Sequence, residues 1–362
     1  MTTNEIVIKS GQGDYSVKFL KNVKEISKSL VQTEEEYFLI CDENIWNIYG
    51  GLLSEIPTKS RILLEANEET KTVQGATKVL EWLSVNGATK SSQVLAIGGG
   101  VIQDIATFVS HIYYRGIKWH FVPTTLLSQA DSSIGAKCGI NLLSHKNQLG
   151  VIHSPSSILI VEEFLESLAL EEFQGGFGEI YKLSVTGPGQ FYERFKEKLR
   201  ISGITPNESL ELVQASLEAK KFIIEEDEYE KDLRRILNYG HSFGHALESL
   251  TKNEVTHGFG VLFGMDLINF LGTKWGVTKE EFYREFKALI SEHFPTYEVK
   301  AKISASGLIS EVAKDKKMQN GVMNFAVLYT PGDIRIVEKK LDEQLKNLVE
   351  EYLENEAIFR AS

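Results

Sequence analysis

Residues 93–108 read QVLAIGGGVIQDIATF: a short apolar, β-branched run, three glycines, then a stretch whose apolar positions recur at helical spacing. A strand that ends in glycine and opens straight into a helix is half of a strand-helix-strand unit. Glycines there let the backbone approach a diphosphate while the helix N-terminus supplies unpaired N–H donors. The same glycines also suit a tight turn on steric grounds alone, since GGG is not the GxGxxG fingerprint. Outward from this point the rhythm repeats. Apolar runs at 37–41, 60–64, 119–122 and 158–161 predict further strands, and 70–86 and 104–112 predict helices between them. Residues 1–168 are therefore expected to form an α/β, Rossmann-like nucleotide-binding domain.

Past about residue 165 the strand signal fades and long amphipathic segments take over, at 209–225, 234–250, 260–275, 279–294 and 342–354. One hairpin is expected, from 322–329 and 334–337 around Pro331-Gly332. Residues 169–362 are thus expected to be a mainly α-helical domain.

The 362 residues are 42% hydrophobic and 25% charged, which fits two globular domains and excludes a disordered, collagenous or coiled-coil chain. Fifty acidic against 39 basic residues give a net charge of -11 with no basic run, so nucleic acid and anionic membrane are not expected partners. Two cysteines, Cys41 and Cys138, cannot build a disulfide framework, and MTTNEIVIKS has no apolar signal core. No apolar run approaches the roughly 20 residues that span a bilayer. The cytoplasm is the expected location.

Several clusters carry chemistry. Asp42-Glu43-Asn44, directly after a strand, offers acceptors to ribose hydroxyls or forms a solvated turn. VPTTLLSQADSSIGAK (122–137) and His145-Lys146-Asn147 put hydroxyls, a carboxylate and cations into what reads as a small-residue loop. NYGHSFGH (238–245) places His241 and His245 four apart, on one helix face, with glycines that would open space there, and His257 follows twelve residues later. Imidazoles grouped this way, with Glu179 in GGFGEIYK (175–182) as carboxylate partner, suit a divalent ion that keeps a position open for substrate. Arg234 precedes His241 by seven residues, hence nearly the same face if that helix is continuous.

Taken together, GGGVIQDIATF with YYRG, VPTTLLSQADSSIGAK, HKNQLG, GEIYK, KKFIIEEDEYEKDLRRILNYGHSFGHALE, THG and KDKK resemble the sugar phosphate cyclase superfamily, most closely the 3-dehydroquinate synthases, over nearly the whole chain. The resemblance implies a divalent metal, Zn2+ or Co2+, on Glu179, His241 and His257, with His245 as substrate-phosphate contact and proton-transfer partner. It implies NAD+ on Asp42, Asn44, Glu68, Lys71, Gly98, Gly99, Gly100, Asp104, Thr124, Thr125, Asp131 and Lys146. Substrate would meet Asp131, Lys137, Asn147, Lys182, Lys220, Arg234, Asn238, His245 and Lys316 or Lys317, with Arg115 reaching across a homodimer.

The implied reaction is cyclisation of a small sugar phosphate with phosphate elimination and transient oxidation by NAD+, which is regenerated. Lys220 and Arg234 match the pair that binds a substrate carboxylate, which favours 3-deoxy-D-arabino-heptulosonate 7-phosphate. A paralogous cyclase acting on another sugar phosphate and a metal-dependent polyol or glycerol-phosphate dehydrogenase stand as alternatives. Five positions depart from the family pattern: Gln103, Ala136, Cys138, His145, and Phe259 where a glutamate usually follows His-Gly.

Overall fold

The structure, a computed structural model, describes all residues except 1–4, 31–36, 144, 203–204, 207–208, 253, 294–297, 315–320, 359 and 362. The chain divides into two compact units, Met1–Leu168 with Pro206–Lys221, and Ala169–Thr205 with Phe222–Ser362.

In the first unit the apolar runs pair into one sheet. Its early strands are β1 (Glu5–Ile8), β2 (Tyr15–Leu20), β3 (Tyr37–Asp42), β4 (Thr58–Leu64), β5 (Gln93–Gly98) and β6 (Lys118–Pro123). A small hairpin of β7 (Ile140–Leu142) and β8 (His145–Leu149) precedes its last strand, β9 (Ser157–Val161). The spatial order is β1-β2-β9-β6-β5-β3-β4, with β1 antiparallel to β2 and the other pairs parallel. Every residue of β5 is buried, as a parallel strand covered on both faces requires.

The helices of this half are α1 (Glu25–Leu30), α2 (Glu43–Leu53), α3 (Val73–Val85) and α4 (Gly100–Ile112). Ile26, Leu30, Ile45 and Leu53 from α1 and α2 pack with Leu39, Cys41, Leu95, Ile97, Val122 and Leu159 of the sheet in one core. After β3 the chain steps outward to β4, then crosses back to β5 on the other side of β3. The C-terminal ends of β3 and β5, which carry Asp42 and Gly98, flank that reversal, the position where open α/β sheets take ligands.

The second unit is mainly helical: α5 (Leu170–Thr186), α6 (Gln190–Ser202), α8 (His241–Leu250), α9 (His257–Lys274), α10 (Glu280–His293), α11 (Ala305–Val312) and α12 (Glu343–Asn355), with α7 (Leu210–Glu226) running in from the first unit. The expected hairpin forms from Val322–Thr330 and Asp333–Lys340. A continuous helix over 234–250 does not form. Leu233–Asn238 is a 3-10 helix, and Gly240 turns the chain with φ 79°, so Arg234 and His241 do not share a helix face. Gly240 cannot carry a side chain there: a Cβ would stand 2.8 Å from Val261 O.

Helix α9 is buried on all sides from Gly258 to Gly272. It is gripped through main-chain contacts. A Cβ on Gly258 would lie 1.5 Å from Gly175 O, and one on Gly178 2.3 Å from Gly258 O, so α5 and α9 touch backbone to backbone. On the other side a Cβ on Gly264 would lie 1.8 Å from Gly240 O, and one on Gly244 2.8 Å from Gly260 O. These glycines close the distance between helices; they do not open a space for ligand. Among the described residues no helix is long and apolar enough to cross a membrane.

Gly264→Ala is expected to destabilise the second unit by about 3 kcal/mol or more, because the helices must separate to admit a methyl group. Gly51→Ala on α2, where a Cβ meets nothing within 4 Å, should change stability by less than about 1 kcal/mol, and in the stabilising direction. Denaturant melts of both variants check the contrast.

Candidate functional site

Helices α5, α8 and α9 each deliver a donor to one point. Glu179 Oε1 lies 3.3 Å from His241 Nε2 and 3.0 Å from His257 Nε2. His245 stands one turn after His241, exposed, its ring centroid 5.3 Å from that of His241 and 5.7 Å from that of His257. Ligand atoms of the three histidines all fall within 4.8 Å of one another. Two triads therefore share His241 and His257, completed either by His245 or by Glu179. The carboxylate is the stronger third member, since it is buried, contacts both Nε2 atoms and pairs with the buried Lys182.

The far nitrogens decide what this point can hold. His241 Nδ1 lies 3.1 Å from Tyr239 O and His257 Nδ1 lies 2.9 Å from Glu248 Oε1. A carbonyl and an ionised carboxylate only accept, so both Nδ1 atoms carry hydrogen, and each ring in its neutral form aims its Nε2 lone pair at Glu179. Two lone pairs and a carboxylate oxygen facing one another repel unless a cation or extra protons lie between them, and this donor set fits a divalent ion. Without a cation the site draws protons. Burial opposes charge on His257, but its bonds to Glu179 and Glu248 outweigh burial and raise it to about 10. Burial likewise opposes the Glu179 charge, yet Lys182 and His241 hold that carboxyl well below its usual range.

A second cluster lies in the first unit. Lys71, only 6% exposed, donates to Asp104 Oδ2 at 3.2 Å and to Asn147 Oδ1 at 2.9 Å, and pairs with Glu68 at 3.4 Å. Asp104 Oδ1 accepts from Gly139 N at 3.0 Å. Asn147 has a left-handed backbone, φ 52°, and its N–H donates to Asn141 Oδ1 at 2.9 Å. The structure thus gathers Glu68, Lys71, Asp104 and Asn147 into one polar network, with Lys146 beside it on the exposed face of β8.

Other expected residues have local partners. Asp42 caps α2, accepting from Asn44 N at 2.9 Å, and Asn44 itself is exposed. Of the three glycines, Gly98 is explained by sterics, since a Cβ would lie 2.4 Å from Ile102; Gly99 approaches Thr125, and Gly100 faces open space. Thr124 N donates to Gly98 O at 3.1 Å, closing the β5 turn against β6. The stretch expected as a loop contains a buried π-helical turn, Ser128–Ser132, because its hydroxyls and amides bond back onto the chain. Asp131 within it pairs with Lys220 at 2.5 Å, and Lys220 also donates to Asp131 O and Ile134 O.

Lys137 is exposed, and Arg115 is exposed at φ 61°. Arg234 is buried, its Nη1 donating to Glu228 O and its N–H to Asp227 Oδ2 at 3.0 Å. Asn238 donates to Glu230 Oε1 at 2.8 Å. Lys316 and Lys317 lie outside the described residues.

The departures also have local explanations. Gln103 exchanges two bonds with Ser132, at 2.6 and 2.7 Å. Ala136 adopts φ 59°, a conformation glycine takes without strain, at a cost of roughly 1–2 kcal/mol. Cys138 donates its N–H to Val151 O at 3.1 Å, and His145 is exposed on β8. Phe259 is buried in α9, while the carboxylate on His257 comes from Glu248. Glu248 and Asn141 escaped the sequence reading. The signal for Glu248 is its place on α8: 241, 245 and 248 lie at i, i+4 and i+7, one face of the helix.

Burial pushes the Asp104 carboxyl up to about 6 against the opposing pull of Lys71. A carboxyl raised on folding contributes stability below its ordinary 3.8 that is lost as pH rises through 6. Relative to Asp104→Asn, the wild-type chain should lose about 1–3 kcal/mol of folding stability across that window, measured by denaturant melts at a series of pH values.

Family models described as 3-dehydroquinate synthase N-terminal and C-terminal match residues 61–175 and 176–318. A curated 3-dehydroquinate synthase from Alkaliphilus metalliredigens is 33% identical over 84% of this chain and 86% of its own length. Among solved structures, 2-deoxy-scyllo-inosose synthase complexed with carbaglucose-6-phosphate, NAD+ and Co2+ superposes with TM-score 0.85 at 21% identity, covering 96% of this chain and 98% of the other. A 2-epi-5-epi-valiolone synthase from Streptomyces hygroscopicus subsp. jinggangensis, with NAD+ and Zn2+ bound, gives 0.84 at 22% identity, covering 96% and 99%. At such identities the two structures speak for the fold. The matched models and the curated relative establish that the chain belongs to the 3-dehydroquinate synthase family.

Proposed function

We propose that this protein converts 3-deoxy-D-arabino-heptulosonate 7-phosphate to 3-dehydroquinate, a ring closure with loss of phosphate that serves the shikimate route to aromatic amino acids. Family membership supports the reaction, and one observation carries it to this site: the Nε2 atoms of His241 and His257 converge on Glu179 Oε1 with both Nδ1 atoms already committed. Glu179, His241 and His257 would hold the divalent ion, Zn2+ or Co2+, and the ends of β3 and β5 with Lys71 and Asp104 would hold NAD+. Bound there, the ion supplies Lewis acidity at a substrate oxygen and the dinucleotide a hydride acceptor that is regenerated within the cycle.

The chain's own groups do the rest. Lys182 keeps the Glu179 carboxylate ionised and fixed in place. His245, exposed beside the other two imidazoles, is suited to hold the substrate phosphate and pass a proton. Lys137 and Asn147 would stabilise negative charge that develops on the substrate. Arg234, buried with its Nη1 on the Glu228 carbonyl and its main-chain N–H on Asp227, is with Lys220 the cation that the family resemblance assigns to a substrate carboxylate, which favours a carboxylated heptulosonate over sedoheptulose 7-phosphate or glucose 6-phosphate.

A homodimer is inferred as well. Arg115 would serve the neighbouring copy, and it sits on an exposed turn with Tyr114 at φ 48° and Ile112. The thiols of Cys41 and Cys138 are unbridged, in keeping with a cytoplasmic setting.

Incubation with NAD+, Zn2+ or Co2+ and each of the three sugar phosphates tests the reading. Phosphate release from the heptulosonate, without lasting NADH absorbance, is expected. Lasting NADH would indicate a dehydrogenase, and release confined to an uncarboxylated sugar phosphate a different cyclase. Arg234→Ala should lower kcat/KM for the heptulosonate by about 100-fold, the worth of a charge-assisted bond pair.

A further inference from the structure

Glu248 lies outside the donors assigned to the cation, yet its Oε1 accepts from His257 Nδ1 at 2.9 Å with its side chain 14% exposed. It shares a face of α8 with His241 and His245, so the helix that supplies one imidazole also supplies the carboxylate that holds another, on α9. Gly260 admits it: a Cβ at 260 would stand 3.1 Å from Glu248 Oε1 and 3.2 Å from its Cγ. The position after His257-Gly258 holds Phe259, whose buried ring cannot accept a hydrogen bond from Nδ1.

We propose that Glu248 is a positioning residue for cation binding: it fixes the Nδ1–H form of His257, presents the Nε2 lone pair beside Glu179, and adds a negative charge to the centre. The inference rests on the cation reading above. A carboxylate can only accept, so His257 cannot move its proton to Nε2 or turn its ring over without losing the bond. Glutamine at 248 can accept through its oxygen or donate through its nitrogen; it keeps a contact but neither dictates the tautomer nor carries charge. Alanine removes all three contributions. His241, held through the Tyr239 carbonyl, is untouched by either change.

The full chain, stripped with a chelator, is titrated with Co2+ by its visible absorbance and with Zn2+ against a chromophoric chelator, alongside circular dichroism and melting of the metal-free proteins. Glu248→Ala should bind both ions about 10–100-fold more weakly and shift the Co2+ spectrum, with Glu248→Gln in between. Wild-type affinity and spectrum in Glu248→Ala, with or without a lower melting temperature, would overturn the proposal and leave Glu248 as a tie between helices. If the alanine variant does not fold, Glu248→Gln carries the test, and metal binding indistinguishable from wild type overturns it equally. Failure of the wild-type chain itself to bind either ion would sink the cation reading, an outcome separable from the failure of Glu248 alone.

Discussion

Helices α5, α8 and α9 meet through their main chains, and the rest of the second unit depends on that contact. Ordinary helix pairs keep their axes 8–10 Å apart because side chains fill the space between them. Here Gly178 faces Gly258 and Gly240 and Gly244 face Gly260 and Gly264, with no room for a methyl group at 178, 240, 244, 258 or 264. Only at that separation can the short side chains of Glu179, His241 and His257, each near the start or middle of a different helix, reach one point. Packing and chemistry are therefore one constraint: whatever spreads the helices also spreads the donors.

The electrostatics of the two polar clusters differ for a physical reason. Around Lys71 the charges are complementary, a buried ammonium among two carboxylates and an amide oxygen, so the network is close to satisfied as it stands. Around Glu179 the near side of the site is made of acceptors, because the donor hydrogens of both imidazoles are turned away toward Tyr239 and Glu248. One cluster holds a local structure together. The other presents an acceptor set that suits a cation, and nearby Lys182 offsets only part of its negative charge.

Much of this was legible in the sequence, and the failures share a cause. Strands β3, β5, β6 and β9 announced themselves because β-branched apolar runs bounded by glycine and polar residues leave few alternatives. The histidine cluster was legible from spacing, and the choice of Glu179 from its glycine-rich surroundings together with the family resemblance. What stayed hidden depends on contacts distant in sequence. Asp42 as a helix cap was obscured because α2, with its glycine pair, reads poorly as a helix. At Gly240 the close approach of Val261 and Met265, more than twenty residues on, leaves room only for glycine, and periodicity alone runs the helix through the break there. Glu248 lay on the right face of α8, but its partner is on another helix. Gly240 and Gly244 read in sequence as makers of space beside the imidazoles, whereas they close the approach to α9.

Burial of α9 on every side also bears on how such a protein can diverge. A surface helix absorbs neutral substitutions on its wet face, whereas α9 has no wet face from Gly258 to Gly272, and several of its neighbours are peptide groups that cannot be trimmed to compensate. Drift toward new substrates is thereby steered away from α9 and toward exposed positions such as Lys137, His145 and Lys146. Lineages sharing this architecture can vary what they accept at the rim while the hub stays almost fixed.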